Sequence, residues 1–156
     1  MKSSVPAALL CLAASAVTAQ TSYDVSGTSP GVSSSTYLAL GDSHVFIDLN
    51  AEHTLPDNGT PLAGMTGSCI GYMEIALGQG ADGQGVCTWT DAEGDMWFGP
   101  WTVTGMNAQQ VATGRWISAG GTGKFAGMQG GGTFSSMTDP ASGEVSLDVS
   151  GTVTLQ

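Results

Sequence analysis

Residues 120–134 have the sequence GGTGKFAGMQGGGTF, and this stretch decides the fold. A strand that leaves a small barrel, folds over its rim and re-enters needs positive φ angles and close backbone approach, which glycine supplies at low cost. An aromatic side chain among these glycines can plug the end of the barrel, while Lys124 is expected to be exposed and of little structural importance. The predicted structural motif consists of Gly120, Gly121, Gly123, Phe125, Gly127 and Gly130. It contains no acid, catalytic nucleophile or metal ligand, so it indicates an architecture and not a reaction.

The rest of the chain has the pattern of an all-β protein. In Glu144–Leu155, apolar residues alternate with polar ones, which is typical of a strand with one buried and one solvated face. Apolar residues after the N-terminus show no helical spacing. Seven further strands are predicted at 35–41, 44–51, 68–77, 85–90, 96–104, 114–119 and 132–138. Short strands joined by Gly, Asp and Pro turns predict a single eight-stranded antiparallel barrel over residues 35–156.

One hairpin of this barrel can be aligned residue by residue. Residues 91–95 suit a three-residue loop in which Gly94 takes the left-handed position of a type I turn with a bulge. Counting outward along the two strands gives three pairs: Trp89 with Trp97, Cys87 with Gly99, and Gly85 with Trp101. The three tryptophans are therefore predicted to share one side of the ribbon, with glycines leaving room beside the rings.

The Trp face, as we call Trp89, Trp97 and Trp101, has more than one interpretation. Inside a barrel of this size it can line a cavity for a flat or apolar molecule. It can equally form ordinary core or, on the outside, a contact between the subunits of a homo-oligomer. Arg115 is a further candidate ligand contact, because a guanidinium can bind a carboxylate or enolate oxygen. An internal ion pair with one of the acids is the alternative for Arg115.

The N-terminus has the pattern of a secretory signal peptide. Met1-Lys2 is followed by an apolar run over residues 5–17 and then by a small-residue cleavage site that ends at Ala19. The run is too short to span a bilayer, and no membrane insertion is predicted. We therefore predict a signal peptide at residues 1–19, a flexible arm at residues 20–34, and export to the cell exterior or the periplasm.

Cys69 and Cys87 remain after the signal peptide, and a lone cysteine pair in an oxidising compartment is usually a disulfide. The strands drawn above place the two residues several positions out of register around a loop at 78–85. Cα atoms more than about 7 Å apart cannot be bridged. We predict the disulfide, with Cys69 in a segment that folds back toward Cys87.

The charge balance excludes several kinds of partner. The chain has 13 acidic residues against three lysines and arginines, and its net charge is −10. Only two basic residues follow the signal peptide, so no basic patch for nucleic acid or for an anionic membrane surface can form. Three carboxylates alternate around one turn and are a Ca²⁺ candidate, with a solvated polar turn as the alternative: Asp91, Glu93 and Asp95.

The glycine-rich stretch at 120–134 resembles the GGTGKF-x-G-x-x-G signature of the dirigent and allene oxide cyclase barrel superfamily. The resemblance implies a barrel with an apolar cavity, often assembled as a trimer, that works without a cofactor. Proteins of these families hold a reactive intermediate in one conformation so that it cyclises or couples with defined stereochemistry, which is catalysis by orientation. Their catalytic residues cannot be placed on this sequence. Its short length and paired cysteines look more like a secreted bacterial branch of the superfamily.

Two functions follow from these observations. The first is a secreted barrel that binds a small apolar molecule and acts on it as a cofactor-free cyclase or isomerase. The second is a non-enzymatic structural or interaction protein whose Trp face packs between subunits. A cavity lined by the Trp face favours the first function, and an interior filled by side chains favours the second.

Overall fold

The computed structural model describes residues 20–155, and the predicted signal peptide at residues 1–19 lies outside the described residues. The described chain is nearly all β-structure, with one short 3-10 turn at Gly123–Phe125. Within it, no helix is long and apolar enough to cross a membrane. The strands are β1 (Thr21–Asp24), β2 (Gly27–Ser33), β3 (Thr36–Ala39), β4 (His44–Thr54), β5 (Thr66–Ala76), β6 (Gly80–Thr90), β7 (Met96–Met106), β8 (Ala112–Ile117), β9 (Gly120–Gly121), β10 (Gln129–Thr138) and β11 (Glu144–Leu155).

Eight of these strands close into one antiparallel barrel. Neighbouring strands pair in the order β11, β10, β8, β7, β6, β5, β4 and β2, and β2 pairs with β11 to complete the ring. Three short strands lie beside the ring: β1 pairs with the C-terminal part of β11, β3 with the first half of β4, and β9 with β7. The prediction of an all-β, eight-stranded antiparallel barrel is therefore confirmed.

The strand that closes the barrel lies where we expected a flexible arm. Residues 20–34 contain β1 and β2, and β2 pairs with both β11 and β4. The expected first strand at 35–41 is instead the short β3 beside the start of β4. Pro30 hides β2 in the sequence, because proline lacks an N–H and is rare in central strands. It is accommodated because the pairing of β2 with β4 begins one residue later, at Gly31.

One end of the barrel is plugged by the glycine-rich stretch. Strand β9 pairs with β7, and the turn at Gly123–Phe125 then crosses the rim. Gly123 and Gly127 have φ angles of 49° and 74°, in the left-handed region that favours glycine. Phe125 is fully buried in an apolar cluster that includes Met65, Trp89, Trp97 and Met128. We call this end the plug and the opposite end, formed by the turns at 77–79, 107–111 and 139–143, the mouth.

Candidate ligand cavity

The interior of the barrel is shaped by aromatic rings that lie over glycines. Trp89 is directly opposite Gly67, and Trp101 is directly opposite Gly85. A Cβ added at either glycine would overlap the indole ring, so only glycine lets the rings lie this close to the wall. The arrangement recurs at three more inward rings: His53 over Gly31, Trp116 over Gly151, and Phe134 over Gly114. Rings held against the wall leave the centre of the barrel open.

That open centre is a cavity of about 200 Å³. It is larger than the cavity of about 150 Å³ that holds benzene in an engineered protein, and smaller than the pockets of about 300–1,000 Å³ that hold drug-sized ligands. Among the described residues, no Asp, Glu, Lys or Arg side chain lines it. The polar side chains in the wall lie mostly toward the mouth, and the plug end is aromatic and aliphatic. Size and lining fit a small, flat, apolar molecule.

The Trp face lies inside the barrel, in the predicted register. Trp89 pairs with Trp97 and Gly85 with Trp101, and Gly94 has a φ of 89°. The three indoles are between 4% and 7% exposed. They line the cavity and cannot contact another subunit, so the interpretation of the Trp face as an oligomer contact is wrong. Homo-oligomerisation through another surface stays a prediction.

The tryptophans near the plug form a rigid wall. Trp89 and Trp97 stack with ring centroids 6.1 Å apart and 19° between planes, and Trp116 meets Trp97 edge-on at 5.7 Å. Trp97 Nε1 donates to Ser118 Oγ at 3.1 Å, and Ser118 Oγ donates to the Met128 carbonyl at 2.9 Å. Aromatic contacts of this kind contribute about 0.5–1.5 kcal/mol beyond burial. These contacts fix the positions of the rings within the wall.

Trp101 forms the next part of the wall toward the mouth. It meets Phe134 edge-on, with ring centroids 6.4 Å apart. Its Nε1 is buried and has no hydrogen-bond acceptor among the described residues. A buried donor without an acceptor costs about 1–3 kcal/mol. The indole N–H of Trp101 therefore has bonding capacity that the described protein leaves unused.

The predicted disulfide joins two strands of the cavity wall. Cys69 on β5 is directly opposite Cys87 on β6, and their Cα atoms are 4.0 Å apart in the bonded pair. The expected offset in register is wrong, because β6 begins at Gly80 and the hairpin loop is only 77–79. No folded-back segment is needed. A structural disulfide is consistent with an oxidising, extracytoplasmic compartment.

Arg115 does not belong to the cavity. Residues alternate along β8, and Arg115 is exposed on the outer side between Thr102 and Thr133 of the neighbouring strands. It makes no ion pair with any described residue. The structure therefore supports neither interpretation of Arg115, as an anchor for a ligand in the cavity or as half of an internal ion pair.

His53 is a cavity residue that sequence reasoning did not select. The side chain is 6% exposed, and its ring centroid lies 6.2 Å from that of Trp89. Burial lowers the pKa of His53 below its ordinary 6.5, and a hydrogen bond with the Ser29 backbone opposes this shift only in part. Its Nδ1 has no partner among the described residues. His53 is consequently neutral at pH 7.

Acidification should destabilise the protein partly through His53. A folded-state pKa below 6.5 means that the unfolded chain binds this proton more tightly, so stability is lost as pH falls below about 6.5. We expect the urea midpoint to fall less for His53→Gln than for the wild type when the pH is lowered from about 7.5 to about 5. His44→Gln, at the half-exposed histidine paired with Glu74, is the matched control. Equal pH dependence in the wild type and His53→Gln would contradict this interpretation.

The acidic turn at 91–95 binds the chain's own lysine. Lys124 Nζ lies 2.6 Å from Asp91 Oδ2 and 3.0 Å from Glu93 Oε2, and the Lys124 backbone N–H donates to Asp95 Oδ2 at 3.1 Å. Hydrogen bonds to Asp91 and Glu93 raise the pKa of Lys124 to about 12. No cluster of three or more potential ligands in residues 20–155 could hold a metal ion. The structure gives the Ca²⁺ interpretation no support, and Lys124 is paired where we expected no structural role.

Gly123→Val should destabilise the protein more than Lys124→Ala does. A Cβ at Gly123 would overlap the Asp95 carboxylate, and a φ of 49° strains any β-branched residue. Strain of this kind costs about 1–3 kcal/mol. Lys124→Ala removes an exposed ion pair with Glu93, which contributes little, and a pair with the 7% exposed Asp91 side chain, whose loss should cost less than the strain at Gly123. Urea unfolding of both variants measures the difference, and equal midpoints would show that the rim does not depend on the glycine conformation.

Two aromatic lining residues, Trp116 and Phe134, were also missed from the sequence. A signal for them was present, since Phe134 lies directly opposite Gly114, as Trp101 lies opposite Gly85. On β8 the predicted ligand contact was Arg115, which faces outward, whereas its neighbour Trp116 faces the cavity. Trp116 likewise lies directly opposite a glycine, Gly132.

No protein-family model and no curated protein matches the sequence. Among solved structures, the chain is similar to the pterocarpan synthase dirigent protein GePTS1, with a TM-score of 0.52 and 13% sequence identity. The match covers 90% of this chain and 88% of that chain. A likeness at this identity concerns the fold, and the closed antiparallel barrel agrees with it. The chain has a dirigent-like barrel fold.

Proposed function

We propose that the barrel binds one small, flat, apolar molecule in its cavity and holds it in one orientation. The observation that carries the proposal is the open centre of about 200 Å³ between aromatic rings fixed over glycines. Protein interiors are normally filled by side chains at close-packed density. Here the rings lie over glycines, which have no side chain, and the centre stays unfilled. The protein therefore loses packing contacts and keeps an open cavity.

The wall is suited to bind without rearranging. Burial of apolar surface contributes about 25 cal/mol per Å², and a ligand in this cavity would meet aromatic surface on several sides. The stacked indoles of Trp89 and Trp97 and the Cys69–Cys87 bridge hold the wall in place. A preorganised site loses less side-chain freedom on binding, which favours affinity.

Orientation is also the contribution that these residues can make to a reaction. The wall has no carboxylate, lysine or arginine among the described residues, and its histidine is neutral at pH 7. A reactive intermediate held between the rings would be restricted to one conformer, and such restriction can lower a barrier considerably. The proposal therefore extends to cyclisation or isomerisation directed by shape. The name of GePTS1 describes a synthase, and the shared barrel supports an orienting role by analogy.

Filling the cavity should weaken binding without harming the fold. Ala51 is 5% exposed and lines the cavity, so Ala51→Leu would place its side chain in the open centre. We expect 2-methylnaphthalene to bind the wild type saturably in calorimetric titrations and to bind Ala51→Leu at least about tenfold more weakly. The urea midpoint of the variant should stay equal or rise, because the new side chain fills a void.

The matched control is Ala92→Leu, at an exposed position in the turn at 91–95. This variant adds the same side chain outside the barrel and should bind the probe as the wild type does. Equal affinity of all three proteins would place the binding site outside the cavity. Absence of saturable binding to the wild type would refute the proposed function.

We also propose that the protein is exported, with residues 1–19 removed on the way. The disulfide supports an oxidising destination. The intact mass of the protein recovered from the exterior or periplasm of its host tests this. A mass that includes residues 1–19, or recovery from the cytoplasm alone, would contradict export.

A further inference from the structure

The polar side chains at the mouth differ in how they are used. Ser33 and Ser35 bond to each other at 2.7 Å and to the Asn50 backbone, so they are satisfied within the protein. Ser136 and Thr138 on β10 also line the cavity, are half-buried, and make no side-chain hydrogen bond with any described residue. These two hydroxyls stand free beside the apolar space.

Gln110 lies at the same edge of the mouth. Ala112 is directly opposite Ser136, and Gln110 precedes it by two residues in the loop 107–111. Gln110 is an exposed residue at the edge of the cavity, and its side chain makes no hydrogen bond with the described residues. Its amide adds a donor and an acceptor beside the two hydroxyls.

The backbone of Gln110 is held in an unusual conformation. Its φ of 61° is the only positive value at a non-glycine residue in the described chain. Asn107 fixes the loop, since its Oδ1 accepts the N–H groups of Gln109 at 2.9 Å and Val111 at 3.0 Å. Strained residues persist where the surroundings impose them and often lie at binding sites. This loop thus keeps the Gln110 side chain at the mouth.

The charges around the cavity exclude an ionic ligand. Lys124, one of the two cations in the described chain, lies at the plug end and is paired with Asp91 and Glu93. Arg115, the other, faces outward from β8. A carboxylate or phosphate would therefore lose its hydration without meeting a counter-ion. An ammonium would find no carboxylate in the wall, and Asp139 in the mouth turn already accepts hydrogen bonds from Ala141 and Ser142. The net charge of −10 opposes anions further.

We infer that the ligand is an uncharged amphiphile, with a flat ring against Trp89 and Trp97 and a hydroxyl or carbonyl group bonded at the mouth. Ser136, Thr138 and Gln110 form the polar anchor. The inference rests on the proposed function. It adds two properties of the ligand, namely the direction in which it lies in the cavity and its lack of charge. Deeper in the wall only Trp101 Nε1 and His53 Nδ1 are buried polar side-chain atoms without a partner among the described residues, so the cluster of three polar side chains at the mouth sets the direction of the ligand.

A matched series of probes tests this by calorimetry at neutral pH: 2-methylnaphthalene, 2-naphthalenemethanol, 2-naphthoate and 2-naphthylmethylammonium. We expect the alcohol to bind about threefold to tenfold more tightly than the hydrocarbon, which is the range of one hydrogen bond. The naphthoate and the ammonium should bind at least about tenfold more weakly than the alcohol. Thr138→Val should reduce the ratio of the affinity for the alcohol to the affinity for the hydrocarbon. Thr102→Val, on the outer side of β7, is the control.

The outcomes separate the inference from the proposed function. Tightest binding of the naphthoate or the ammonium would overturn the uncharged ligand and leave cavity binding intact. Equal affinity for the alcohol and the hydrocarbon would overturn the polar anchor. The same advantage of the alcohol in wild type, Thr138→Val and Gln110→Leu would move the anchor elsewhere. Failure of all four probes to bind would refute the proposed function and this inference together.

Discussion

Phe125→Ala is expected to lower the free energy of unfolding by about 3–5 kcal/mol. Phe125 is fully buried and packs in the cluster that plugs the barrel. Its backbone is tied down on both sides, since Phe125 N–H donates to Thr122 and Met128 N–H donates to Phe125. The turn cannot readily collapse into the space that the ring leaves. Most of the free-energy cost of the new cavity should therefore appear as lost stability. Urea unfolding measures the loss.

The control is Phe98→Ala, which removes the same side chain from the outer side of β7. Phe98 is 37% exposed and lies outside the cavity wall. We expect a loss that is a small fraction of that at Phe125. Similar losses for the two variants would mean that the glycine-rich stretch does not act as a plug.

Removal of the disulfide by the double substitution Cys69→Ala and Cys87→Ala should cost about 2–4 kcal/mol. The bridge closes a loop with a sequence separation of 18 residues and so restricts the unfolded chain. Cys69 is also 5% exposed, and its truncation leaves a small void in the wall. Urea midpoints of the oxidised wild type and the double variant give the value.

A reductant provides the internal control. The reduced wild type should unfold near the midpoint of the double variant, while the double variant itself should not respond to reductant. A reduced wild type as stable as the oxidised protein would show that the bridge contributes nothing to stability, and the account of a rigid cavity wall would lose one of its supports.

The Trp hairpin could be predicted closely because its turn is local. A loop of fixed length with Gly94 in the left-handed position sets the register, and every pair further along the strands follows from it. The all-β class and the long alternating strand Glu144–Leu155 were equally readable, since a period of two is a property of the segment itself.

The register of the two cysteines was predicted wrongly because glycine occurs in this protein both in turns and within strands. Residues 78–85 contain several glycines and resemble a long loop, yet β6 already runs from Gly80. Gly83 and Gly85 are strand positions, and Gly85 is needed because the Trp101 ring lies over it. That need arises from the neighbouring strand and cannot be seen within the segment.

The closing strand depends on contacts between distant parts of the chain, whereas the inward histidine follows from its own strand. β2 is short and polar and contains Pro30, and it is a strand because β11 and β4 present complementary edges to it. His53 faces the interior because it continues the alternation of Ile47, Leu49 and Ala51 along β4. The half-exposed His44 lies on the other side of the same strand. The alternation was readable in the sequence, but the predicted strand ended at residue 51, two residues before His53.

The central claim, that the barrel interior is a binding cavity, is tested most directly by the indole signals of the four tryptophans in a ¹⁵N–¹H correlation spectrum. Titration with 2-methylnaphthalene should shift the indole N–H signals of Trp89, Trp97, Trp101 and Trp116 saturably, with one dissociation constant. The amides of outward residues such as Ile70 should not move. Saturable binding that leaves all four indole signals in place would contradict the account, because the ligand would then lie outside the cavity.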